Sequence, residues 1–411
     1  MKRLKIAIIG GGASGLIAAI VAKKGSTTVD LYEKNSSIGR KILVSGNGRC
    51  NIFNTSASNG NYYGEDTSFA VKVLKKFDFN RFKEFCLNIG LLLDIKEDGK
   101  VYPLSNEAKS VVNVFKTYLD KLNVNVLTNT PVLNVKKTND KFALLNDTGI
   151  LDEYDRVLIA SGLLAAPQLG ASKDGADMAL SLGHLLNPPY PALVPLELNG
   201  SLFRRMEGVK MKASVALYAD NKKKNEVCGD ILFTKYGISG FAVLDISTQA
   251  SFYLTNNKKV ELSIGLFPGI EKQYIGNRLL FAKKNLKEYD TLTVLSGMLP
   301  LKVAKAVLVK IGVDAKDSIS SLSPKSIKRI VNEMFNMRFE VKAAHGFEYA
   351  EACGGGVKTD EIDFNTMESK IIKGLYFAGE VVDIVGARGG YNFAFAFASG
   401  YVAASNMISN T

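Results

Sequence analysis

The sequence predicts an α/β protein built on a parallel, dinucleotide-binding sheet, with an antiparallel and helical insert in its second half. Three observations predict it. KIAIIGGGASGLIAAIVAKKG reads as an apolar strand, a glycine turn and a small-residue helix. TVDLYEK follows as a second strand, ending on an acid about twenty residues further on. From about Pro189 to His345 the pattern changes to alternating apolar and polar runs and then to helical periodicity.

In the first element, Gly10, Gly12 and Gly15 form G-x-G-x-x-G. The first glycine permits the tight turn, the second lets a pyrophosphate approach the backbone, and the third lets helix and strand pack closely. The amides at the helix start, at Ala13 and Ser14, then face phosphate oxygens, and the helix dipole favours their charge. The motif sits between a strand and a helix, the context that separates a dinucleotide fingerprint from a chance glycine run. Glu33, followed by Lys34, is placed to accept hydrogens from a ribose hydroxyl pair.

Next comes GRKILVSGNGRCN. It reads as a loop over a bound dinucleotide. Gly39, Gly46 and Gly48 give backbone clearance, Arg40, Lys41 and Arg49 supply positive charge, and Cys50 and Asn51 close the stretch.

A chain of 411 residues calls for about two or three domains. The expected organisation is a dinucleotide-binding domain over 1–188 and 346–411, a β-barrel-like unit over 189–268 and a helical unit over 269–345. MKASVALYAD, DILFTKYGISG and KKVELSIGLF read as antiparallel strands, and PKSIKRIVNEMFNM as an amphipathic helix. Four scattered cysteines without a C-x-x-C argue against structural zinc, disulfides or a dithiol relay, and point to reduced thiols in the cytoplasm. Two histidines are too few for a His-rich metal site, so no metal is expected. The net charge of +12 is carried by scattered lysines, which reads as a solvated surface, so nucleic acid is not the expected partner. Residues 6–22 and 389–411 are uncharged, but the first carries the glycine pattern and the second holds Asn392, Ser399 and Asn406, so no membrane insertion is expected.

GRKILVSGNGRCN, GKVYPLSNEAKSVV, PYPALVPL, ILFTKYGISGFAVLDIS and GLYFAGEVVDIVGARGGYN, in this order, resemble the signatures of a bacterial FAD-binding flavoprotein family. This is the BaiN- or YhiN-like group, which includes aminoacetone-oxidase-like enzymes. The resemblance implies a Rossmann-like FAD-binding domain of glutathione-reductase type with an inserted β-barrel-like plus helical domain. It implies backbone contacts to the cofactor at Val132 and at Ala160, Ser161 and Gly162. It also implies that Gly379 and Glu380 approach the ribityl chain and pyrophosphate, and that Gly390, Tyr391 and Asn392 open a helix at the pyrimidine end of the flavin. The chain departs from the family at IASGLLAAPQLG and at VGARGG, where substrate or flavin is touched.

The expected activity is that of an FAD-dependent oxidoreductase on a small molecule, either an NAD(P)H-driven reductase or an amine-oxidase-like enzyme. No second G-x-G-x-x-G follows a strand, so NADH or NADPH would visit the flavin transiently. Cys50, Arg49, Asn392 and Tyr236 are the candidates for chemistry near the ring, while His184 reads as a helix C-terminal residue. The competing class is a flavin-bearing, RNA-associated or regulatory protein without turnover.

Overall fold

Ile6, Ala7, Ile8 and Ile9 are buried, as a strand covered on both faces of a parallel sheet requires. They form the strand β1 (Lys5–Ile9) of a computed structural model that describes residues 4–409. Two compact units are present. One comprises the segments up to Pro191 and from Glu351 onward, and the other comprises Ala192–Ala350.

In the first unit, β1 pairs in parallel with β2 (Thr28–Tyr32), which pairs with β3 (Asn125–Leu127). On its other side β1 pairs with β4 (Arg156–Ile159), and β4 with the Leu375–Phe377 strand, giving a five-stranded parallel sheet. The helix α1 (Ala13–Ala22) follows β1 and is buried on all sides, which its alanine-rich, uncharged sequence permits. The Tyr391–Ser409 helix crosses it at backbone distance: a Cβ on Gly400 would stand 2.3 Å from the Ser14 carbonyl oxygen.

His184 is buried in this unit, beyond the Asp174–Ser181 helix. Its Nδ1 lies 3.0 Å from Glu361 Oε2 and its Nε2 2.9 Å from Ser369 Oγ. A carboxylate only accepts, so Nδ1 carries the proton and Nε2 accepts from the serine hydroxyl. Ser369 Oγ in turn accepts from the amides of Ile371 and Ile372. The group is a structural clamp. Burial pushes the His184 pKa down, against the raising effect of Glu361. A histidine held neutral contributes stability that is full above its ordinary pKa of about 6.5 and is lost as pH falls below it. Melting temperature is therefore expected to fall between neutral pH and mild acid, and His184→Asn is expected to flatten that slope. An unchanged slope in the variant overturns the assignment.

In the second unit, β5 (Leu196–Leu198), β6 (Lys210–Ala219), β7 (Lys222–Phe233), β8 (Gly237–Ser239), β9 (Val260–Gly265) and β10 (Met337–Ala344) close into an antiparallel barrel. The order is β5-β8-β7-β6-β9-β10. This corrects the expected split at 268/269. The helices Lys272–Asn285, Leu301–Ile311 and Pro324–Phe335 lie between β9 and β10 in the chain and share one hydrophobic core with the barrel. The strand that closes the barrel thus falls inside the segment read as helical. Its alternation is clear: Met337, Phe339 and Val341 are buried, Arg338, Glu340 and Lys342 exposed.

Among the described residues no helix is long and apolar enough to cross a membrane, and no cluster of His, Cys, Asp and Glu could hold a metal ion.

Candidate flavin site

The site is built at the carboxyl ends of β1, β2, β4 and the Leu375–Phe377 strand, where an open parallel sheet places ligands. Gly10 takes φ +111°, and a Cβ there would meet the Ala160 carbonyl oxygen at 2.5 Å. A Cβ on Gly15 would stand 1.9 Å from the Gly10 oxygen, so this glycine is required by the turn's own backbone. Gly12, which caps α1, is different: its backbone is extended and nothing lies within 4 Å of its Cβ position. That open volume sits over the free amides of the helix start, beside Ala13 and Ser14.

Glu33 follows β2 and is 8% exposed. Its Oε2 accepts the Gly11 amide at 2.9 Å, and its Oε1 accepts Asn35 N at 2.8 Å and Asn35 Nδ2 at 2.6 Å. The carboxylate is held rigidly, and Oε2 keeps a lone pair for a ribose hydroxyl. The chain before Val132 runs beside it, since Thr130 N donates to the Glu33 carbonyl. Val132 itself is buried and precedes the Asn134–Thr138 strand. Lys34 does not face this volume; it pairs with Asp174 at 3.0 Å and with Ser172 Oγ at 2.5 Å.

The basic stretch is more ordered than the expected loop. Gly39, in the left-handed region, starts a short helix, α2 (Arg40–Val44), and a 3-10 turn follows over Ser45–Gly48. Arg40 donates to Asn35 Oδ1 at 2.7 Å. Lys41 makes an ion pair with Glu380 at 2.7 Å, and Glu380 Oε1 accepts the Cys353 amide at 2.8 Å. Glu380 Oε2 also lies 3.5 Å from the Cβ position of Gly162. Gly46 packs near the Asn51 amide, while Gly48 faces open space. Arg49 is exposed and lies over the Tyr102 ring at 5.6 Å.

Two candidates for chemistry are corrected. Cys50 is fully buried at φ +59°, and burial pushes its thiol up to about 11. Full burial and a raised pKa both favour packing over reactivity at this thiol. Asn392 uses both ends of its amide on Gly386: Oδ1 accepts the Gly386 amide at 2.7 Å and Nδ2 donates to the Gly386 carbonyl at 2.9 Å. It clamps the turn before the last helix. Tyr391 likewise packs edge-on to Tyr62 and accepts from Asn61 at 3.0 Å. Tyr236 belongs to the barrel unit and stacks on His345.

Four features fit a bound FAD. Gly12 leaves a volume over the helix amides. Gly379 and Gly390 take positive φ where a Cβ would stand 2.7 Å from Ser14 Oγ and 2.3 Å from the Phe53 carbonyl oxygen. Ser161 Oγ and Asn51 Oδ1 are buried without a partner among the described residues, and such atoms call for a polar ligand or water. Glu33 is fixed by Gly11 and Asn35 with acceptor capacity to spare for a hydroxyl. Sequence reasoning missed Asn35, which fixes both Glu33 and Arg40, Asn54, which donates to the Gly389 carbonyl, and Ser399, which accepts the Gly379 amide. Only Asn35, two residues after Glu33 and within reach of its carboxylate, carried a local signal.

The family described as HI0933-like protein Rossmann domain matches residues 4–406. The 3-dehydro-bile acid delta(4,6)-reductase of Clostridium scindens is 33% identical over 401 residues, covering 97% of this chain and 98% of the relative. The ribosomal RNA dihydrouridine synthase of Escherichia coli is 31% identical, covering 99% of both chains. The 3-ketosteroid delta1-dehydrogenase of Sterolibacterium denitrificans shares the fold at TM-score 0.52 and 12% identity, over 99% of both chains. With the family model and the curated relatives matching along nearly the whole chain, and a strand–glycine turn–helix at its start, it belongs to the HI0933-like family of FAD-dependent Rossmann oxidoreductases.

Proposed function

We propose that this chain reduces a carbon–carbon double bond conjugated to a carbonyl, and that the bond is C5=C6 of uridine in RNA. Both named relatives act on such an enone, one in a steroid ring and one in a uracil ring. The observation that carries the RNA reading is the distribution of charge. The Ala192–Ala350 unit holds 24 lysines and arginines against 15 aspartates and glutamates, which is +9 of the chain's +12. A polyanion is drawn to such a surface, and a neutral steroid gains nothing from it. The sequence alone set nucleic acid aside because its lysines are scattered; grouping them by unit reverses that weighting.

Bound FAD supplies the two-electron chemistry. Glu33, the α1 amides and the Lys41–Glu380 pair bind and orient it. NAD(P)H donates a hydride equivalent and solvent a proton, so that two hydrogens are added across the double bond. The second glycine run, Gly354–Gly356, lies in the Ala352–Val357 strand and opens no helix, so among the described residues the nicotinamide has no separate dinucleotide domain, and it visits the flavin. A second reading, reduction of a steroid-like enone, is favoured by the 33% identity to the bile acid enzyme.

The test is an anaerobic incubation of the holoprotein with NADH or NADPH and either unmodified rRNA transcript or a 3-keto-Δ4 steroid. Nuclease digestion and mass spectrometry then read the nucleosides. A gain of two hydrogens on uridine is expected. Steroid reduction with unchanged rRNA overturns the RNA reading, and a flavin band that neither cofactor bleaches overturns the NAD(P)H donor.

A further inference from the structure

Within the barrel unit three rings form a column that barrel closure does not require. Tyr236, in the turn between β7 and β8, lies on His345 with ring centroids 4.2 Å apart and planes within 7°. His345, just after β10, lies against Tyr349 at 4.1 Å and 38°. The inner part is fixed. His345 Nδ1 is 3.2 Å from Glu197 Oε1, the other Glu197 oxygen pairs with Lys342 at 3.2 Å, and the His345 amide donates to the Pro195 carbonyl. The outer part is open. Tyr349 is 55% exposed, with one ring face on His345.

We propose that this column is a base-stacking platform, and that the outer ring of Tyr349 takes a base of single-stranded RNA. The inference rests on the RNA reading above. Every nucleobase has a π face, and a ring that already rests against His345, itself stacked on Tyr236, is held in place before a base arrives. The surroundings suit a phosphate backbone. Lys235 adjoins Tyr236 and is exposed, as is Lys342. The same turn lies beside a basic segment, since Gly208 N donates to the Phe233 carbonyl, and Arg204, Arg205 and Lys210 around it are exposed. Of the nearby acids, Glu197 is paired with Lys342, Asp230 pairs with Lys210 at 3.3 Å, Glu348 folds back against Gly346, and Glu207 is exposed within the basic segment beside Arg204 and Arg205. Base stacking along a basic track is the general mode of single-strand recognition.

The experiment is fluorescence anisotropy of a short fluorescein-labelled oligouridine with the flavin-loaded protein at fixed salt. Tyr349→Ala is expected to weaken binding by about ten-fold, within the range that one stacked base contributes. Tyr349→Trp is expected to bind at least as tightly as the parent. The salt slope is expected to stay the same in all three proteins, because stacking removes no ion pair. Flavin content and melting temperature report that the variants are folded. Parental affinity in Tyr349→Ala overturns the platform while leaving the RNA reading standing. Absence of binding by the parent protein, to oligouridine and to rRNA fragments alike, overturns both.

Discussion

Gly12→Leu is expected to purify folded and colourless. Gly12 sits in an extended conformation open to any residue, and its Cβ direction meets no atom within 4 Å. The protein alone therefore tolerates a side chain there. The leucine fills the volume over the first amides of α1, where a pyrophosphate must lie. Forcing a methylene-sized group into an occupied space costs about 1–3 kcal/mol, occasionally more, which corresponds to roughly five- to 150-fold weaker FAD binding. The measurement is the flavin-to-protein absorbance ratio after gel filtration, with an FAD titration and a circular dichroism spectrum alongside. A folded variant that remains fully yellow sinks the phosphate-turn assignment. Gly15→Ala would not separate the two effects, because its Cβ collides with the Gly10 carbonyl whether or not FAD is bound.

A pair of glycine-to-alanine changes is expected to move stability in opposite directions. In an open helix alanine is favoured over glycine by about 1 kcal/mol. Gly276, in the Lys272–Asn285 helix, has nothing within 4 Å of its Cβ position, so Gly276→Ala is expected to gain about that amount. Gly400 carries the same propensity gain, but its Cβ would stand 2.3 Å from the Ser14 carbonyl oxygen and 2.9 Å from Ile17 Cγ2. A backbone carbonyl in a buried helix cannot swing aside, so Gly400→Ala is expected to lose about 1–3 kcal/mol net. Urea titrations followed by flavin release for the first unit, and by far-ultraviolet circular dichroism for the insert, read the two signs separately. A stabilised Gly400→Ala would mean that the two helices do not approach as closely as described.

What the sequence could disclose was whatever is local. The phosphate turn is legible because one short backbone segment must supply the turn, the amides and the packing contact, so Gly10, Gly12 and Gly15 stand at fixed spacing. Glu33 is legible for the same reason. Ser399, twenty residues from the Gly379 amide it accepts, carried no such signal. Cys50 ends a glycine-rich run that reads as a loop, yet the run folds into α2 and a 3-10 turn and Cys50 is fully buried. The barrel's closing strand was missed because β10 pairs with β5, more than a hundred residues earlier, and with β9 across four intervening α-helices. The Tyr236–His345 stack is hidden by the same separation.

The sheet order has a consequence for how this protein is made. β4 is complete at Ile159, but its outer neighbour is the Leu375–Phe377 strand. At about 5–20 residues per second, a ribosome needs roughly ten to forty seconds to travel between them. For that interval β4 offers an unpaired edge, α1 lacks the helix that covers it, and half of the cofactor's seat has not been synthesised. The barrel unit, contiguous in the chain, is finished first. A complete flavin seat is therefore expected only once the Leu375–Phe377 strand and the Tyr391–Ser409 helix are made; until then the nascent edge is open to mispairing, and riboflavin starvation is expected to show first as aggregation of newly made chains.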